Sequence, residues 1–295
     1  TRCTGRVGIR SENETGLASR EAIVHFSASP ALKATMTIVV PFILMAASAV
    51  GQSLPQPASD TLRIEVGSAE VRGRVFAPHA ARVRVYIGEE RRLSAEWTNE
   101  LTLGDSANRR VMRWVTRGTR FPATGSPSTW ELRQTYDAET LAPYRYTATS
   151  SQGASTLLTI DGPRIRGTRR MPGDSVAQIV NQTLDRAGFF AGASDLVPVA
   201  VGLKKGLVMT APFWSPGMTA SEARVFAVID RTVVNVEGAE VSAWKVEEYR
   251  AGDRRLLATW YLLEDSPYMV YGEVVLPNGQ IQRMTEVAVP LSRPD

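Results

Sequence analysis

The chain has 295 residues, 43% of them apolar, with a formal charge of +4 and an isoelectric point near 9.4. One cysteine, Cys3, and two histidines exclude a disulfide framework and a zinc site built from Cys and His. The basic bias is too weak and too dispersed to argue for a nucleic-acid partner, and it drops to +2 without residues 1–49.

Residues 1–35 show no sustained period of 2 or 3.6 and read as an upstream or disordered segment. Met36–Val50 then runs 15 residues without a charge and ends in small residues. As a helix it would reach about 22 Å, short of the ~30 Å hydrocarbon core. Ala47-Ser48-Ala49 supplies a small-residue cleavage site, so 36–49 is expected to be a signal peptide. The competing reading is a membrane anchor or a buried strand, since Lys33 alone makes a thin positive region. No cysteine follows the apolar run, which excludes a lipoprotein anchor. The expected product is periplasmic or secreted, with no integral membrane segment after cleavage. Residues 50–60 form a Pro-rich, solvated lead-in, and 61–295 a single β-rich domain.

Within that domain short alternating runs recur. Thr61–Val66 and Ala81–Ile87 come first, with Val83, Val85 and Ile87 on one face. Glu96–Leu103 carries Trp97, and Arg109–Arg117 sets Met112 and Trp114 opposite Val111 and Val115. A loop at 118–128 leads to the strand of Trp130, Leu132, Gln134 and Tyr136. Tyr144–Thr149, Ala154–Ile160 and Arg164–Arg170 follow, separated by turns at Gln152-Gly153 and Asp161-Gly162. Turns every 8–12 residues are the spacing of sandwiches and barrels.

One helix is expected over about 175–187, entered at Asp174 or Ser175 and closed by Gly188. It aligns Val176, Ile179, Val180 and Leu184 in one apolar stripe. Intrinsic propensity is low there, so this helix would have to dock on the sheet to exist. Phe189-Phe190 and the apolar run Leu196–Gly202 are read as extending the surface it docks with. From Arg224 to Val289 an antiparallel meander resumes. Trp244 and Val246 share a face opposite Lys245 and Glu247, and Asn278-Gly279 supplies a two-residue hairpin turn.

Three stretches carry a family resemblance. They are TWELRQTYDAETLAPYRYTATS, the expected amphipathic helix with its apolar connector, and GAEVSAWKVEEYRAGDRRLLATWYLLEDSPYMVYGEVVLPNGQIQRMTEV. On these, roughly residues 130–290 resemble the DUF3108 family of exported bacterial proteins. The resemblance implies an exported β-rich fold and transfers no activity or catalytic residue.

Catalytic constellations are thin. There is no G-x-S-x-G elbow, and His79 is the one imidazole beyond residue 49, expected in a solvated turn. Carboxylates such as Glu131, Asp137, Glu247, Glu248, Glu264 and Asp265 abound, but the adjacent Glu247 and Glu248 point to opposite faces of a strand. Arg164, Arg166 and Arg170 share one face and read as ordinary edge protection. No cofactor is implied.

These readings predict a mainly β fold: an antiparallel, strongly curved sheet or barrel-like meander, closed or open, with one short docked helix. The first functional expectation is an exported, non-catalytic cell-envelope protein holding an apolar or lipid-like ligand. Its candidate lining is Trp130, Tyr144, Tyr146, Val176, Ile179, Val180, Leu184, Trp244 and Trp260. The second is a fully packed structural module that captures another envelope protein by an edge strand. The third is a carboxylate-based hydrolase on envelope polymers, which two converging acids with raised pKa would favour.

Overall fold

The computed structural model describes residues 61–106, 109–264, 266 and 269–291. The segments expected to be an upstream region, a signal peptide and a lead-in fall outside those residues, as do Asp265 and Tyr268. In chain order the strands are β1 (Leu62–Arg63), β2 (His79–Ile87), β3 (Arg92–Ser106), β4 (Arg109–Arg120), β5 (Ser128–Asp137), β6 (Pro143–Ser150), β7 (Ser155–Asp161), β8 (Arg164–Arg170) and β9 (Gln178–Thr183). Then come β10 (Phe189–Phe190), the helix α1 (Leu196–Val201), β11 (Val208–Trp214), β12 (Glu222–Val236), β13 (Ala239–Arg250), β14 (Leu256–Leu262), β15 (Met269–Val275) and β16 (Ile281–Ala288).

All 16 strands belong to one sheet. β2 to β9 form one antiparallel meander and β11 to β16 a second, and β16 pairs antiparallel with β2 to join them. The path therefore ends at β9 on one side and at β11 on the other, where β1 and β10 lie parallel to β11. The sheet is barrel-like and not closed. Its two ends meet at one level, where the end of β9 and the residues just after it touch the β11–β12 turn. Ser221 N–H donates to Asp185 Oδ1 at 2.8 Å, and Gln182 Nε2 donates to the Met218 carbonyl at 3.0 Å.

Alternation sorts the faces. Val83, Val85, Leu101, Met112, Trp114, Tyr136, Leu158 and Ile165 are all at most 5% exposed on the inner face. Two inner positions are glycines covered by tryptophan rings from paired strands. Trp130 lies over Gly118, with Trp97 tilted against it at 5.8 Å, and Trp260 lies over Gly272. A Cβ at either glycine would meet ring atoms at 2.9 Å, so the bare glycine is what lets a large ring lie flat on the sheet. The β15–β16 connection is a three-residue loop, not the two-residue turn expected. Gly279 alone has positive φ (81°), and Leu276 N–H donates to the Gln280 carbonyl.

The expected helix over 175–187 is not formed. Residues 178–183 pair with β8 as strand β9. Val176, Ile179, Val180 and Thr183 are β-branched and poor helix formers, and the β8 ladder offers hydrogen bonds that an undocked helix could not better. Helical spacing of the apolar residues also lets Val180 and Leu184 share one face of a strand, which is the face that packs inward. The helix lies instead at Leu196–Val201, in the run read as its docking surface. Leu196, Val197, Pro198, Val199 and Ala200 are buried, and Gly202 N–H closes the turn on the Pro198 carbonyl at 3.0 Å.

Candidate functional site

The space enclosed by the curled sheet is occupied by the chain itself. The buried segment from Phe189 through α1 enters it and meets β5, β6, β11 and β13. Phe190 sits edge-on to Tyr136 (5.4 Å, 81°), and tilted against Tyr146 (5.6 Å) and Trp214 (5.8 Å). Phe189 contacts Phe213, which contacts Phe226. Each of these buried rings contributes roughly 1.5–3 kcal/mol by removal from water.

Of the nine candidate lining residues, Leu184 and Trp260 belong to this core, and Tyr146, Val180 and Trp244 pack against it. Trp130 is half-buried on the inner face nearer the other end of its strand. Tyr144 lies at a rim, where Arg109 donates to its hydroxyl at 2.8 Å and that hydroxyl donates to Asp137 at 3.2 Å. Trp244 lies beneath the Arg231 guanidinium, 5.1 Å from its ring, and donates from Nε1 to Glu264 at 2.8 Å. Val176 and Ile179 line nothing: they are 74% and 84% exposed. Their inward position depended on the helix, and in the strand Ile179 turns to the outer face.

A polar cluster lies within the apolar interior. Glu248, 1% exposed on the inner face of β13, accepts from Arg224 Nη1 (2.6 Å), Trp260 Nε1 (2.7 Å) and Ser194 Oγ (3.0 Å). Two further acids face the same interior. Asp195 is half-buried as a residue with its carboxyl enclosed, and burial pushes its pKa up to about 7, helped by the nearby Glu248 charge. Glu286 is 6% exposed with one oxygen lacking a hydrogen-bond partner, and burial raises its pKa well above the carboxylate range. The Tyr136 hydroxyl is also buried without a partner. Such an arrangement sets one buried carboxylate against an arginine, while burial pushes the pKa of the two others upward. Among the described residues no group of three or more His, Cys, Asp or Glu is placed to hold a metal ion.

The carboxylates weighed from the sequence mostly fall on the outer face. Glu131 takes Arg117 at 2.8 Å and is held below its usual pKa by Arg133 and Arg117. Glu247 takes Lys245 at 2.7 Å on the outer side of β13, opposite Glu248. Alternation therefore separated that pair correctly, but Arg224 and Ser194 were missed as partners of Glu248, and Asp195 and Glu286 as buried acids. The signal for Glu286 was its place two residues after Met284 on one face of a strand. For Asp195, sitting before an apolar run, nothing in the sequence announced burial. His79 is half-buried at the start of β2, not in a solvated turn, and burial lowers its pKa.

Depressions indent the surface of the described residues. One, about 500 Å³, crosses β2 to β6 between two outer rows. The rows are Arg82, Thr98, Arg117, Glu131 and Thr149, and Glu96, Thr119, Thr129 and Ser151. Trp97, Gly118 and Trp130 form its floor, and alternation directs both indole rings to the inner side. Another, about 310 Å³, lies at the Arg231, Trp244 and Glu264 rim.

Neither a family model nor a curated protein matches the sequence. A solved structure similar in fold is the crystal structure of a β-barrel-like protein of domain of unknown function DUF1849 from Brucella abortus. It is 10% identical, with a TM-score of 0.47 over 75% of this chain and all of that one. Among the described residues no helix is long and apolar enough to cross a membrane, a test that leaves strands aside.

Proposed function

We propose that the protein is an exported, DUF3108-like, non-catalytic cell-envelope protein that works as an interaction module with a packed interior. The observation that carries this reading is the seating of Phe189–Val201 inside the curled sheet, where an apolar ligand would otherwise lie. Tyr146 and Trp260, expected to line such a ligand, contact Phe190 and Glu248 instead. The two acids with raised pKa support structure more than hydrolysis. They are enclosed among core side chains, whereas glycoside hydrolysis needs both carboxyls on a substrate cleft. What remains for recognition is the outer face and the edge of the sheet.

Gentle native mass spectrometry of protein purified after export from its host tests this. A chain lacking residues 36–49, at its bare mass and unable to take up a fluorescent fatty acid, is the expected result. A stoichiometric apolar adduct would overturn the packed-interior reading, and a retained 36–49 segment would overturn the export reading.

A further inference from the structure

From the geometry of β9 we infer that the sheet is completed in use by an acidic, extended segment of a partner protein, added along the free edge of that strand. The inference rests on the interaction-module reading and names the surface and the chemistry of its partner. Three observations converge on this edge.

First, the backbone is bare. Leu184 N–H donates to the Pro163 carbonyl at 2.9 Å, which fixes the phase of the β8–β9 ladder. Val180 and Gln182 therefore bond to β8, while the N–H and C=O groups of Ile179, Asn181 and Thr183 point away from it. Second, the strand lacks the usual defences. Gln178–Thr183 carries no charge and no proline, and its register with β8 is unbroken by a bulge. Ile179, at 84% exposed, and Val176, at 74%, stand beside it as uncovered apolar anchors.

Third, the charges across from the edge on β8 are basic. On the outer face Arg166 stands across from Asn181, and Arg164 across from Thr183. Both arginines are exposed, and among the described residues neither forms an ion pair, although Asp161 is the cross-strand neighbour of Arg164. An added strand would lie about 10 Å from β8, two strand spacings away. An arginine can lean across the short Asn181 and Thr183 side chains to meet carboxylates at that distance. The same arginines disfavour a second copy of this chain, whose own edge would bring like charges together. A segment alternating apolar and acidic residues answers all three features: backbone groups for the ladder, apolar side chains for Ile179, and carboxylates for Arg164 and Arg166.

The test uses the exported full chain and a labelled peptide alternating valine and glutamate, with a valine–lysine peptide as control. Binding of the glutamate peptide only, weakened by salt, is expected. Asn181→Pro removes an outward N–H that β8 does not use and is tolerated at an edge. It should weaken binding roughly tenfold or more with unchanged melting. Arg164→Glu with Arg166→Glu should reverse the peptide preference. Equal binding by Asn181→Pro, or indifference to peptide charge, would overturn the proposal. So would sedimentation with anionic vesicles that competes with the peptide, which would assign the surface to a membrane. A dimer dissolved by Asn181→Pro would likewise assign the edge to a second copy. Failure of the peptide with a bare-mass chain sinks this proposal alone, whereas an apolar adduct sinks the module reading beneath it.

Discussion

The two ends of the sheet are treated in opposite ways. At β11 the chain covers its own edge: β1 and β10 lie parallel along it, and Ile64 N–H donates to the Thr210 carbonyl at 2.8 Å. Met209, Ala211, Phe213 and Trp214 are each at most 1% exposed. At β9 no strand follows, and Gln178, Ile179, Asn181 and Thr183 are exposed. The composition of each strand records this. MTAPFW is apolar on both faces because both are covered, as expected for strands sandwiched between layers, whereas QIVNQT mixes amides and hydroxyls with two aliphatics. An edge left bare without charge or proline is unusual in a stable sheet, because it templates association. The contrast separates an end that the chain covers with its own segments from an end that it leaves open.

The comparison breaks most visibly at Phe190. Phe190→Ala removes the ring that Tyr136, Tyr146 and Trp214 share and loosens the cover of β11. The expected loss is about 3–5 kcal/mol, read from urea unfolding. Ile179→Ala, at the other end, should stay within about 0.5 kcal/mol. Similar losses at both sites would show that β9 is covered in solution. One strand in from the covered edge, Arg224→Met leaves Glu248 buried without its cation and should cost about 3 kcal/mol. A neutral result would mean that Ser194 and Trp260 suffice to hold that carboxylate.

Much of this architecture was legible in the sequence. Alternation placed Val83 and Val85, Met112 and Trp114, and Trp244 and Val246 on the faces they occupy, because sheet burial follows a period of two without help from distant residues. Turn chemistry fared nearly as well. The turn after Arg250 forms, although its left-handed residue is Arg254 (φ 57°) and Gly252 is not. The helix failed for an identifiable reason. Val176, Ile179, Val180 and Leu184 satisfy a helical stripe, yet which structure wins depends on whether β8 offers a ladder, which no local window contains. The same limit hid the polar cluster. Asp195 and Glu286 are 91 positions apart, and only the curl of the whole sheet sets both facing the interior with Glu248.

That cluster gives the covered end a pH signature which the open end lacks. The ordinary aspartate value is 3.8, and in the folded chain Asp195 titrates at about 7 because burial disfavours its charge. Between those values the folded state holds a proton that the unfolded state has released. Stability is therefore fullest below about pH 4 as far as Asp195 is concerned, and falls as pH rises toward 7. Glu286, also raised by burial, adds a fall of the same sign. Asp195→Asn should flatten the slope, worth on the order of 3 kcal/mol between pH 4 and 7, in urea unfolding at a series of pH values. An unchanged slope would mean that water reaches the Asp195 carboxyl.

The smallest change in stability belongs to the exposed aliphatics. Val176→Ser with Ile179→Ser removes two side chains that touch little of the core, so the expected change in unfolding free energy is within about 0.5 kcal/mol. Binding of a hydrophobic dye to the native chain should nevertheless fall, because uncovered aliphatic surface is concentrated at this end, with Leu157 across from Thr168 and Thr168 across from Ile179. The two readouts separate the causes. Lost dye binding at constant stability identifies an apolar surface held ready for something outside the chain. Lost stability would mean that these residues already pack against a part of this protein, and the edge would then be covered at both ends of the sheet.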